Sequence, residues 1–382
     1  MKKSAVSLSL AAAFALTIGA GPAFAQFGRL NEIAKKAETV KKIADLKVTD
    51  AEEHQIGQTV SDKIVETFGV YQDANVTKYV TLVGAVLAQG STRPALDWQF
   101  VVLDTEGVNA FAAPGGFIHI TKGLLGLMKN EAELAGVLAH EITHVTEKHT
   151  VNAIQTGDTV KVASDEVGSS GGMTQGLLTK LAEKAYSDIL NNRFSRKDEG
   201  EADEKGVQLA NKVGYAPNGL TTALTKLADR NKDVQEPNGL FASHPQIKDR
   251  IAKIDGFIKE KKLTATATVQ ARYAKNITFD AKPASAVATV AEGSRGLAGG
   301  DEKKPADGDK TAEKKEEPKK SGGMFSKLRP GGGSQAQQSQ TVASAGARGV
   351  NPDRDAVGGP NKKRVPVKIG PGDIAEFQKG IA

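Results

Sequence analysis

Residues 132–144 read AELAGVLAHEITH, and the last five form an H-E-x-x-H sequence inside a run of good helix formers. No other stretch constrains the chain as strongly. On a helix His140 and His144 stand at i and i+4, roughly 40° apart around the axis, so both imidazoles leave the same face. Two imidazoles so placed can share one tetrahedral zinc, and Glu141 beside them can reach a water at that point. Five residues alone can match by chance; the helical context and the ligand candidates downstream give them weight.

The first 25 residues stand apart from any fold. Lys2 and Lys3 precede an apolar run from Ala5 to about Ile18, and Ala23-Phe24-Ala25 supplies a small-x-small cleavage pattern. This is the pattern of a secretory signal peptide, expected to leave Gln26 as the mature terminus. No later stretch approaches the ~20 apolar residues that a spanning helix needs, so the mature chain is expected to carry no transmembrane segment. Cysteine is absent, which rules out disulfides and a lipid-bearing cysteine. The expected location is the bacterial periplasm, with peripheral membrane contact open. A net charge of +6 and a pI of about 9.1, with lysines and glutamates interleaved, indicate a solvated surface and no nucleic-acid partner.

Residues 28–47 place Leu30, Ile33, Ala37, Val40 and Ala44 at helical spacing opposite lysines. Such a helix packs on its own domain or lies on a membrane surface. Thr49-Asp50 predicts a helix over 51–68, and another spans 74–89, ending at Gly90. Strands are expected over 97–103, 108–113 and 117–120, the last two separated by Pro114-Gly115-Gly116. Thr121 caps a short helix over 122–128, and Asn130 caps the HEITH helix. Two helices follow over 151–194, broken at Gly168-Ser169-Ser170-Gly171-Gly172, whose glycines permit a lid. Ser195 opens a helix to about Val213, closed by Gly214; Pro217 begins another, and one more covers 246–261.

The expected organisation is a signal peptide over 1–25, a metalloprotease-like domain over 26–283, and a tail over 284–382. In that tail Gly, Lys, Glu, Pro, Ser and Gln displace large apolar residues, so it is expected to be disordered. Its last stretch, 364–377, regains apolar residues and reads as a short docking motif for a protein partner. The fold class is α+β: a mostly helical, zincin-like core with a small antiparallel or mixed sheet.

A catalytic zinc needs a third protein ligand. In the extended pattern H-E-x-x-H-x-x-G-x-x-H the glycine position here is Glu147 and the last histidine position is Thr150, so that scheme fails. His149 falls one residue out of register and reads as an exposed helix-end histidine. A carboxylate from a separate helix is the alternative. Glu199 and Asp203 are i and i+4, on one face with Ala202, Gly206 and Ala210. The HEITH helix offers a matching row of Ala132, Gly136, His140 and His144. Two rows of small residues would let the backbones approach and bring Glu199 to the imidazoles, with Asp203 accepting a hydrogen bond from a ligand histidine. Glu201 points away and pairs with Lys205 at i,i+4. The competing explanation for all these carboxylates is a solvated helix face.

HEITH, Asn109-Ala110-Phe111-Ala112-Ala113-Pro114-Gly115-Gly116, Glu199-Gly200-Glu201-Ala202-Asp203 and Ser243-His244-Pro245 occur in an order that resembles metallopeptidase family forty-eight. That is the family of the HtpX and CaaX prenyl proteases and their periplasmic relatives. The four motifs span roughly residues 50–260. The resemblance implies one zinc per chain held by His140, His144 and Glu199, with Glu141 as the base. It also implies that Asn109, Ala110, Phe111 and Ala112 form the sheet edge on which a peptide is laid. This chain departs from the family in lacking its transmembrane helices, and also the helical-repeat domain that some periplasmic members carry.

The implied activity is endoproteolysis of unfolded or flexible envelope polypeptides, a quality-control role. A chaperone-like or scaffolding protein with a latent zinc site and a partner-recruiting tail is the alternative. His244 has three readings: a helix-start histidine beside Pro245, a donor to the oxyanion, or a fourth ligand that keeps the site latent.

Overall fold

The computed structural model describes residues 48–155, 173–191, 194–232, 247–284 and 360–381. The signal peptide, the 28–47 helix, the glycine break at 168–172, His244 and the stretch 285–359 lie outside the described residues.

Local signals set the element boundaries. Helix α1 (Asp50–Phe68) starts at a capping box in which the Thr49 side chain accepts from the Glu52 N–H and Glu52 returns to the Thr49 N–H. Asp73 caps α2 (Ala74–Gly90) through its side chain alone, which accepts from the Asn75 and Val76 N–H groups. Strands β1 (Gln99–Leu103), β2 (Ala110–Ala113) and β3 (Phe117–Thr121) follow. Thr121 caps α3 (Lys122–Leu127), and Asn130 caps α4 (Glu131–Thr146), the HEITH helix. Then come α5 (His149–Gln155), α6 (Gln175–Asn191), α7 (Arg196–Lys212) opened by Ser195, α8 (Gly219–Arg230) and α9 (Ile247–Glu260). A short α10 (Gln270–Asn276) has no counterpart in the sequence expectations.

The sheet is mixed, with β3 central: β1 runs parallel to it and β2 antiparallel, in the order β1-β3-β2. The α+β class is thus as expected. Both faces of the sheet are covered. Phe100, Val102, Ala110, Ala112, Ile118 and Ile120 join one core with α2, α4, α7 and α8. Their alternating neighbours Val101, Leu103, Phe111, Ala113 and Phe117 join a second core with α1 and α6. Burial on both sides explains why the strands are mostly apolar, without a polar outer face. The β2–β3 connection needs glycine. Gly115 has φ 74°, and a Cβ there would stand 2.6 Å from the Cα of His54 on α1.

A polar node interrupts the second core. His119 of β3 is wholly buried, and its Nε2 lies 2.7 Å from Ser61 Oγ on α1. Ser61 Oγ also accepts from an Arg364 Nη2, at 2.9 Å. Arginine only donates, so Ser61 Oγ accepts at that side and links the arginine to the buried imidazole. Burial first, then the Arg364 charge, pushes His119 down to about 3.

Arg364 belongs to a segment for which disorder was the expectation, and over 360–381 that expectation does not hold. The Val70 N–H donates to the Asn361 carbonyl at 2.7 Å and Gln72 Nε2 to the Lys363 carbonyl at 2.9 Å. Since Tyr71 N–H donates to Val102 O of β1, this segment covers the β1 side of the sheet. Helix α11 (Pro371–Lys379) then packs on α2. Phe377 sits 3.8 Å under the Arg272 guanidinium, and Ile381 is buried. The apolar residues of the 364–377 motif therefore have an occupant site on this chain's own domain.

Two outcomes are expected. Between about pH 6.5 and pH 3 the unfolded chain takes up a proton at His119 that the folded chain refuses, so stability falls with acid across that window. His119→Gln should flatten the pH dependence of urea unfolding there by up to about 1.4 kcal/mol per pH unit; an unchanged slope would contradict a buried uncharged imidazole. Arg364→Ala should lower stability at pH 7 by about 1–2 kcal/mol, through loss of a charged hydrogen bond to a buried hydroxyl. No loss would show that the segment is not held through Arg364.

Candidate metal centre

Helix α4 carries the site, and of its 16 residues all but Thr146 are buried. Its carboxyl-terminal half meets α7 at close range. A Cβ on Gly206 would stand 3.0 Å from the His140 nitrogen and 3.1 Å from its Cα, so a larger residue would force the backbones apart. The predicted small-residue contact is therefore real at Gly206. It does not extend to the first half of the row. Gly136 faces Leu220, and Gly219 approaches the Ala132 carbonyl, so α8 packs there instead. Helices crossing at an angle share a narrow contact for only a turn or two, and the row passes from one neighbour to the next.

That contact brings Glu199 to the imidazoles. His140 Nε2 and His144 Nε2 face each other at 3.1 Å, and the Glu199 oxygens lie 3.9 Å from the first and 3.6 Å from the second. Ligand atoms about 2.0–2.2 Å from a tetrahedral zinc lie roughly 3.3–3.6 Å from one another. Among the described residues these three are the group able to hold a metal, with all ligand atoms within 4.8 Å. Their spacing and donor types fit zinc. Glu141, next to His140, is buried within the same helix.

Asp203 takes the place expected of it: its Oδ1 lies 3.1 Å from His140 Nδ1, behind the metal-facing nitrogen. It is gripped by Arg250 of α9, whose Nε donates to Oδ2 at 2.8 Å and whose Nη2 donates to Oδ1 at 2.6 Å. The remaining Arg250 nitrogen, Nη1, lies 2.9 Å from Glu199 Oε2. Burial alone would raise the Asp203 carboxyl, yet the hydrogen bonds and charges of Arg250 and His140 outweigh it and hold the group at about 2. One guanidinium thus compensates two buried carboxylates.

Other expectations divide. Ala110, Phe111 and Ala112 lie in β2, at the sheet edge opposite β1, and Ala112, Ala113 and Pro114 line a small cleft together with His144. All four β2 residues are buried, and α6 packs against the strand. Asn109 precedes the strand and shapes its start: its Oδ1 accepts from Ala110 N–H, and its carbonyl accepts from Thr121 Oγ1. Glu201 pairs with Lys205 at 2.7 Å, as its spacing predicts.

Two residues of this site escaped the sequence expectations, one unassigned and one misplaced. Arg250 had a readable signal, because Ile247, Arg250 and Ile254 at i, i+3 and i+7 mark one buried face of α9. His149 is the correction: it is not exposed but 96% buried (4% accessible), with Nδ1 2.9 Å from His144 Nδ1. Five residues along a continuous helix would have put it about 140° from His144. The helix ends instead, and Lys148 at φ 57° turns the chain so that His149 comes back beneath His144.

With this geometry the comparison with known proteins is direct. Residues 74–258 match peptidase family M48. The resemblance read from the four motifs is thus borne out by a family match over the residues that carry them. The beta-barrel assembly-enhancing protease of Escherichia coli (strain K12) is 28% identical over 262 residues, 66% of this chain and 51% of the relative. The protein of that name from Yersinia pestis is 28% identical over 212 residues, covering 52% and 42%. Metalloprotease LoiP of Escherichia coli (strain K12) is 32% identical over 159 residues, covering 41% and 60%. The chain spans about half the length of the beta-barrel assembly-enhancing proteases it matches.

Arg250→Met should cost about 3–5 kcal/mol in urea unfolding, because it leaves Asp203 and Glu199 buried without their cation. A loss under about 1 kcal/mol would mean that another group takes over the charge.

Proposed function

We propose that the protein is a zinc metalloendopeptidase that hydrolyses peptide bonds in unfolded or flexible polypeptides of the cell envelope. One observation carries the reading: two imidazoles of a buried helix and the Glu199 carboxylate of α7 converge at zinc spacing, with Glu141 beside them. A purely structural metal site has no need of a carboxylate there. The metalloprotease relatives support the same reaction class.

His140, His144 and Glu199 would hold the metal, which supplies a Lewis acid able to acidify water and polarise a carbonyl. Glu141 takes the proton of the attacking water and passes it to the leaving amine. Asp203, fixed by Arg250, keeps the His140 ring turned so that Nε2 faces the centre. Ala112, Ala113 and His144 share a small cleft, which supports a role for β2 in aligning an extended peptide by main-chain hydrogen bonds. Such pairing favours unfolded segments. Export by residues 1–25 would place the reaction in the periplasm; no helix among the described residues is long and apolar enough to cross a membrane.

The burial of β2 under α6 favours a second reading, a latent form that binds partners without cutting them. The two separate in one assay, cleavage of an unfolded model protein by the purified mature chain, with zinc content measured alongside. Glu141→Gln should keep its zinc while losing roughly 10²–10⁴ in rate, the usual weight of a general base. Zinc without cleavage in the wild type would establish the latent reading, and absence of zinc from both would sink the metal centre.

A further inference from the structure

We infer that His149 is a positioning residue for the metal centre, fixing the ring and the tautomer of His144. The inference rests on the metal-site reading above and extends it to a residue outside the ligand set. His140 is backed by Asp203 and Arg250, an anion clamped by a cation. His144 has a different support. Its Nε2 faces His140 and Glu199, so its Nδ1 points away from them and meets His149 Nδ1 at 2.9 Å.

Two ring nitrogens at that distance share a single proton, with one donating and the other accepting. An imidazole that offers its Nε2 lone pair to a metal carries its proton on Nδ1. His144 Nδ1–H is therefore the donor, His149 Nδ1 the acceptor, and the His149 proton sits on Nε2. The surroundings of that second nitrogen agree. Glu201 Oε2 lies 3.6 Å and Asp198 Oδ1 4.0 Å from His149 Nε2, both acceptors near an N–H. The polarity thus runs one way, from two carboxylates on α7 through His149 to His144.

Packing holds the pair in this orientation. Phe194 stacks on His144 with ring centroids 4.1 Å apart and planes at 27°, and His149 meets His144 nearly edge-on at 4.9 Å and 75°. The backbone also bears a cost to place His149 there. Lys148 sits at φ 57°, in the left-handed region that disfavours side chains other than glycine, asparagine and aspartate. Its ammonium is fastened 3.0 Å from both Asp50 Oδ1 and Glu53 Oε2. Strain retained at one residue, with salt bridges to hold it, marks a turn whose outcome is the placement of the next side chain.

The test measures metal binding by the full mature chain, by competition between protein and a chromophoric chelator for zinc. His149→Leu should weaken zinc binding about 10–100-fold, the usual effect of removing such a support. It should also shift the visible absorption of the cobalt-substituted protein. His149→Asn places a carbonyl oxygen where Nδ1 stands and should restore most of the affinity. Melting of the metal-free variants separates this role from a packing role, since a lost hydrogen bond to His144 lowers metal affinity even where the metal-free fold is unchanged.

His149→Leu binding zinc within about twofold of wild type, with an unaltered cobalt spectrum, would overturn the inference. So would His149→Asn binding as weakly as His149→Leu. Should the leucine variant fail to fold, His149→Asn is compared with His149→Gln, whose acceptor lies one carbon further out; equal affinities overturn the inference. Failure of the metal-site reading itself looks different, because the wild type would then bind no zinc.

Discussion

A helix buried along almost its whole length cannot carry ionisable groups unless each is met by a partner, and α4 carries five: Glu131, Glu133, His140, Glu141 and His144. Much of the architecture answers that requirement. At the first turn, where the helix dipole favours acids, Glu131 accepts from the hydroxyls of Tyr79 and Tyr215 and from the Arg272 guanidinium. Burial and the Glu131 charge raise both phenols, which keeps them donors. Glu133 is met by Lys226 from α8 and by the Lys129 N–H. Helices α2, α8 and α10 are thus tied to one end of α4 by charge as well as by apolar contact.

At the other end the same demand shapes the site. Arg93 reaches from beyond α2 to the Val145 carbonyl and to Glu53 of α1, and Lys148 joins them. Between the two ends the two imidazoles, Glu199, Asp203 and Arg250 form a buried polar cluster. Electrostatic interactions in such surroundings are stronger than at a surface, and an unmatched member is correspondingly costly. Chemistry and fold are therefore hard to separate here: the contacts that bring Glu199 to the imidazoles also keep α4 buried.

Much of this could be read before any coordinates. Thr49, Asp73, Thr121, Asn130 and Ser195 marked helix starts because a side-chain cap is a local device, complete within four residues. A small sheet followed from three short apolar runs, with antiparallel and mixed pairing both left open, and the convergence of His140 and His144 followed from their i,i+4 spacing. What escaped has a common cause. Arg250 acts across 47 positions on Asp203, and Arg364 across 303 on Ser61, and no local pattern encodes either pairing. His149 was misplaced because one left-handed residue breaks the helical count that placed it. The Gly136 row was assigned to α7 because the spacing shows that a face is narrow without showing which helix fills it.

The seating of residues 360–381 ties two stretches far apart in sequence to one body. Ala284 is buried on the domain, and Pro360, 76 positions later, lies against Gly69 at the end of α1. A change that loosens Arg364 or Phe377 therefore also uncovers α2 and the β1 side of the sheet, so the far end of the chain bears on the stability of the core that positions the candidate site.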